Sequence, residues 1–181
     1  MPHLHEQTLS SERLFEGKII NLRRDAVLLE NGARAIREVV EHPGGVCMVA
    51  LTETREVLLV RQLRYPYGEV LTELPAGKLS PGEDPLEAGK RELLEETGAV
   101  AARIVDLGKL YPSPGYLNEV IHTYLATGLT FTEQHLDEDE FLDVERVPLE
   151  AAVDRVLRGE IRDAKTQAAL LKVHLLLAEG T

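Results

Sequence analysis

The chain has 181 residues, 44% hydrophobic and 28% charged, which suits one domain with an appendage and lies near the globular average. Its 31 acidic residues outweigh 20 basic ones for a net charge of −11, and no basic cluster offsets them, which argues against nucleic acid and membrane surfaces as partners. The lone Cys47 excludes an internal disulfide framework and a thiolate metal cluster. With neither an apolar signal region nor an apolar run approaching about 18 residues, a cytoplasmic protein is expected.

In chain order, His3 and His5 fall in a polar tail for which no structure is expected. Residues 19–22, 25–29 and 33–40 then read as strands of a small N-terminal antiparallel sheet. Asn31-Gly32 between the last two predicts a two-residue type I′ turn, in which both positions need positive φ. His42-Pro43-Gly44-Gly45 reads as a hinge, dividing the chain into an N-terminal sheet at 1–42 and a main domain at 43–181.

The apolar runs 46–51 and 57–63 read as core strands, with Cys47 a buried strand residue, and a shorter strand at 70–74 runs into Pro75-Ala76-Gly77. A helix follows, with Asp84 as its N-cap, Pro85 in the first turn, Glu87 to complete a capping box and Gly98 to end it. Strands are expected at 104–110, 120–126 and 141–147. Helices are expected at 149–158, after Pro148, and at 164–179, capped by Asp163. The pattern is α+β, a mixed sheet sandwiched between helices with a small N-terminal antiparallel sheet.

The capped helix carries the chemistry. Glu92, Glu95 and Glu96 stand at i, i+3 and i+4, so their carboxylates share one face, while Leu86, Gly89 and Leu93 form a stripe that can pack on the sheet. Three adjacent carboxylates repel one another, and hard cations that prefer oxygen ligands relieve that repulsion; the plainer alternative is a solvated acidic face. Glu83 can join such a ligand set or hold one member in place, and Arg91 can orient a glutamate through a bidentate ion pair.

Gly77, Glu83, Arg91, Glu92, Glu95, Glu96 and Gly98 together resemble the Nudix box, G-x5-E-x7-R-E-U-x-E-E-x-G-U, where U is a bulky aliphatic residue. All seven fixed positions match; at about 0.07 per position, chance gives roughly 10⁻⁸ per window. Ala99 departs from the final aliphatic position. The resemblance implies Mg²⁺ or Mn²⁺, two or three ions per site, held by Glu92 and Glu96 with Glu95, Glu140 and the Ala76 carbonyl as auxiliaries. Gly77 would let the backbone turn close to the ion.

Further segments, Arg61-Gln62-Leu63-Arg64-Tyr65-Pro66, Glu73-Leu74-Pro75-Ala76-Gly77-Lys78 and Ser113-Pro114-Gly115-Tyr116-Leu117-Asn118-Glu119, are similar to the ADP-ribose pyrophosphatase subfamily. Pro114 meets that subfamily's requirement for a proline beyond the box, although Asn118 stands where related proteins often carry Asp. The resemblance spans roughly residues 17 to 165. It implies a homodimer with an exchanged N-terminal sheet, Arg37 and Arg64 on the diphosphate, and Glu73 and Glu119 on ribose hydroxyls. In the acidic run at 137–140, Glu138 is the expected general base, with Glu95 the alternative, and Glu140 a metal ligand. Against these roles stand an ordinary surface salt bridge for each arginine and a solvated turn for the acidic run. Tyr65, Tyr67 and Tyr111 are open between stacking a base and packing the core. The expected reaction is hydrolysis of ADP-ribose to AMP and ribose 5-phosphate. Alternatives are another nucleoside diphosphate compound (a nucleotide sugar, NADH or a dinucleoside polyphosphate) and a module that binds ADP-ribose without cleaving it.

Overall fold

A computed structural model describes residues 3–136 and 140–179, which fall into two compact units. The first comprises residues up to Gly44 together with Tyr111–Val120; the second comprises Gly45–Leu110 and the residues from Ile121 onward.

In the first unit, β1 (Gln7–Glu16), β2 (Asn21–Leu28) and β3 (Arg34–Glu41) form an antiparallel sheet in that order. The sequence did not announce β1, because every residue of QTLSSERLFE is exposed and no buried alternation marks it. The expected disorder before it is corrected too: the His5 N–H donates to Glu30 at 2.9 Å. Ile19 and Ile20, expected in a strand, lie in the β1–β2 turn, where the Gly17 N–H reaches the Ile20 carbonyl at 3.0 Å. The β2–β3 turn also differs from expectation. Only Gly32 has positive φ (81°) and the Leu29 N–H bonds to the Ala33 carbonyl, so this is a three-residue loop with a glycine bulge. Asn31 accepts from the Ala33 N–H instead of adopting positive φ itself. The 111–120 segment joins this unit through Asn118, whose N–H bonds to Val40 and whose side-chain oxygen accepts from His42.

In the second unit, β4 (Gly45–Ala50) runs parallel to β9 (Ile121–Phe131) and antiparallel to β7 (Ala76–Lys78); β8 (Ala99–Leu110) pairs antiparallel with β9. A second sheet holds β10 (Leu142–Pro148), β5 (Glu56–Arg64) and β6 (Glu69–Glu73), all antiparallel. β4 is apolar throughout because it is buried on both faces. Val46, Met48 and Ala50 meet Ala88 and Leu93 of α1 (Pro85–Thr97). Cys47, Val49 and Leu51 meet residues of α2 (Leu149–Leu157) and α3 (Ala164–Glu179). The sheet is therefore sandwiched between helices, as expected. β7 was missed because Pro75 and Gly77 read as strand breakers; only three residues pair there. No described helix is long and apolar enough to cross a membrane.

Candidate active site

Helix α1 is placed by strong local signals. Asp84 accepts from the Leu86 and Glu87 N–H groups, Pro85 fills the first position, and Gly98 (φ 68°) closes the helix through its N–H to Leu94. Glu87 pairs with Lys90 at 2.7 Å, a use of its carboxylate other than the expected capping box. Gly89 lets the helix lie close to β4, since a methyl carbon there would stand 2.7 Å from the Met48 sulfur.

This docking buries two carboxylates. Glu92 and Glu96 are 7% and 3% exposed, whereas Glu95 is half-buried. The Ala76 N–H donates to Glu96 at 3.0 Å, and Gly77 packs against the Glu92 carboxylate so closely that any Cβ would overlap it. Arg91 is the hub beside them. Its Nε and one terminal nitrogen donate to Glu83 at 3.0 and 3.2 Å, and the other donates to Glu92 and Glu95 at 2.9 Å each. Glu83 is itself fixed by the Ser80 N–H. Burial, with the Glu92 and Glu140 carboxylates nearby, pushes Glu96 up to about 8 against the Ala76 hydrogen bond. Burial raises Glu92 as well, despite Arg91.

Glu140 is thus close enough to repel both, and the three together offer oxygen donors alone, which suits a hard divalent cation. No group of three or more His, Cys, Asp or Glu among the described residues stands arranged around an ion. Glu92 and Glu95 turn to Arg91 instead, so the donor chemistry fits while the side chains remain paired.

A second cluster adjoins the first. Glu73, 1% exposed at the end of β6, accepts from Arg64 Nε at 2.6 Å and a terminal Arg64 nitrogen at 2.7 Å. It also accepts from Lys165, which pairs with Asp163 at 3.0 Å. Both Glu73 oxygens are therefore engaged, one by Arg64 and the other by Arg64 and Lys165. Burial would raise Glu73, but Arg64 and Lys165 overcome it and hold the carboxyl at about 2. Arg64 is close enough to Glu96 for their charges to interact.

The remaining expected residues are distributed between the units. Arg37, on the exposed face of the first unit, donates to Glu6 at 3.0 and 2.5 Å. Glu119 in the same unit faces His42 at 3.3 Å, and Pro114 lies there too. Glu138 lies outside the described residues. Tyr65, Tyr67 and Tyr111 are exposed, which removes the core alternative for them. Sequence reasoning missed Lys165, although its neighbour Asp163 was recognised as a cap. It also missed Gln134, whose amide donates to the Glu96 carbonyl at 2.5 Å while the His135 N–H meets the Glu95 carbonyl.

Residues 41–170 match the NUDIX domain family, and residues 6–40 match the nucleoside diphosphate sugar hydrolase N-terminal domain. The chain belongs to the Nudix hydrolase family. This Nudix chain is 41% identical over 177 residues to an ADP-ribose pyrophosphatase of Bacillus subtilis, covering 97% of this chain and 96% of that one. It is 40% identical over 172 residues to a methanol dehydrogenase activator of Bacillus methanolicus, covering 94% and 93%. A crystal structure of an ADP compounds hydrolase superposes with a TM-score of 0.84 at 25% identity, over 97% of this chain and 95% of that one.

Proposed function

We propose that this Nudix hydrolase cleaves the diphosphate of ADP-ribose to AMP and ribose 5-phosphate with Mg²⁺ or Mn²⁺. The observation that carries the reading is the buried pair Glu92 and Glu96, set by Gly77 and Ala76, in a chain so similar to an ADP-ribose pyrophosphatase. Glu92, Glu96 and Glu140, aided by Glu95 and the Ala76 carbonyl, would hold two or three ions. When bound, these ions supply positive charge to the phosphate oxygens and lower the pKa of water.

The chain's own residues do the rest. Arg91 aligns Glu92 and Glu95 by bridging them through one nitrogen, which offsets their like charges. A water attacks one phosphorus, its proton passes to a carboxylate, and the bridging P–O bond breaks with the other phosphate leaving. Glu138 is the proposed base, with Glu95 the alternative. Arg64, held by Glu73, and Arg37 are the proposed diphosphate contacts, Glu119 the proposed acceptor for a ribose hydroxyl, and Pro114 a further substrate-binding residue. We further propose a homodimer with exchanged N-terminal sheets, because a lone three-stranded sheet with exposed Leu14, Phe15 and Ile36 needs a surface to pack on.

The test is a panel of ADP-ribose, a nucleotide sugar, NADH and a dinucleoside polyphosphate, compared by kcat/KM. The reading expects ADP-ribose to lead by at least about tenfold. A higher value for another compound would move the assignment to that compound. Tight ADP-ribose binding by calorimetry without turnover would favour the non-catalytic module.

A further inference from the structure

The first turn of α3 reaches the end of β6 and the residue after it through two side chains. The Leu74 N–H donates to the buried Thr166 hydroxyl at 2.9 Å, and the Lys165 ammonium donates to the adjacent Glu73. Asp163 serves both sides of this turn, accepting from the Thr166 N–H at 2.9 Å through one oxygen and pairing with Lys165 at 3.0 Å through the other. Arg64, Lys165, Glu73 and Asp163 make two cations and two anions, a neutral set in which only Arg64 is substantially exposed, its side chain at 37%. Glu73 uses one edge of the Arg64 guanidinium, Nε and one terminal nitrogen, which leaves the other terminal nitrogen for a ligand.

We propose that Lys165 is a positioning residue for the substrate diphosphate: through Glu73 it fixes the direction of Arg64 and sets the net charge around it. Glu73 is nearly inaccessible, so its charge must be compensated by the residues that touch it. With Lys165 present, Glu73 is shared and Arg64 keeps part of its field for a phosphate oxygen. Without Lys165, Arg64 alone neutralises Glu73 and the set becomes net negative, which weakens attraction for a dianionic diphosphate. Asp163 acts in the opposite sense, because it draws on the Lys165 charge. The proposal rests on the reading in which Arg64 meets the diphosphate.

The experiment measures KM and kcat of the full-length, metal-loaded enzyme for the compound it hydrolyses best. Variants are Lys165→Met, Lys165→Arg, Asp163→Asn and Arg64→Ala, with melting temperature recorded for each. Lys165→Met should raise KM roughly three- to tenfold with kcat within about twofold, and Lys165→Arg should stay nearer wild type. Asp163→Asn keeps an N-cap acceptor, so it folds, and should lower KM because the set becomes net positive. Glu73→Gln is then combined with Lys165→Met, and the lysine substitution should raise KM less in that background, because its hold on Glu73 is gone and only its charge remains to be lost. A rise in KM for both Lys165→Met and Asp163→Asn would show a merely structural turn and overturn the proposal. So would an undiminished Lys165→Met effect beside Glu73→Gln. If Arg64→Ala leaves KM unchanged, the diphosphate role of Arg64 fails and this proposal fails with it. If Arg64→Ala raises KM while neither Lys165→Met nor Asp163→Asn moves it, only this proposal fails.

Discussion

Gly77→Ala separates the site from the fold. A methyl carbon built on Gly77 would lie 1.9 Å from the Glu92 carboxyl carbon, whereas real Cβ contacts are essentially never under 3.0 Å, so something must shift by about 1 Å. The backbone at Gly77 is not left-handed and accepts alanine, and the group in the way is the tip of a side chain. Glu92 should therefore swing aside at little cost to stability. The same displacement removes it from its place beside Arg91 and Glu96, and misplacement by about 1 Å can cost on the order of 10²-fold in rate. The expected result is a kcat about 10²-fold lower, with a melting temperature within about 2–4 °C of wild type, equivalent to about 1 kcal/mol. Initial rates at saturating substrate and calorimetric melting give both numbers. Activity within a few-fold of wild type would refute the assignment of Glu92 to the reacting centre. A loss of activity accompanied by unfolding would refute the claim that the Gly77 contact serves the site alone.

Glu138→Gln should lower kcat by about 10²–10⁴-fold at saturating ADP-ribose, and Glu140→Gln should in addition raise the Mg²⁺ requirement; if both remain within a few-fold of wild type, the base is Glu95 or another group. Glu73 is held below its ordinary value of 4.5, at about 2, so its charge stabilises the fold fully above pH 4.5, and this contribution is lost progressively as pH falls from 4.5 to about 2. The contribution is about 3 kcal/mol, and urea denaturation from about pH 5 to about pH 3 should show a steeper loss for wild type than for Glu73→Gln. Parallel curves would contradict that account. Light scattering should give the mass of a homodimer, and a fully active monomer would rule out the exchanged sheet.

The sequence reported best where local chemistry and tertiary packing agree. Helix α1 was readable to its ends because Asp84, Pro85 and Gly98 each act within one turn of their own position. The box carboxylates were readable because helical spacing alone puts them on one face. The N-terminal sheet was harder. β1 buries nothing that patterning could detect, and Asn31-Gly32 suggested a tighter turn than the chain makes, since Asn31 bonds to Ala33 instead of taking positive φ. The ion network around Glu73 was invisible because Lys165 is 92 residues away in sequence, and nothing local links a helix start to the end of β6. Glu73 therefore read only as an acceptor for a ribose hydroxyl, whereas in the fold it is buried and bonded to Arg64 and Lys165.

The proposed activity is cleavage of the diphosphate of ADP-ribose by the carboxylates of α1 with a divalent cation. The most direct test is to incubate the purified enzyme with ADP-ribose and Mg²⁺ and separate the products by ion-exchange chromatography. The assay is repeated after exhaustive chelation and again after Mg²⁺ is restored. AMP and ribose 5-phosphate should form in equal amounts, disappear on chelation and return with the metal. Undiminished cleavage after chelation, or intact ADP-ribose in the presence of Mg²⁺ and Mn²⁺, would contradict the proposed activity.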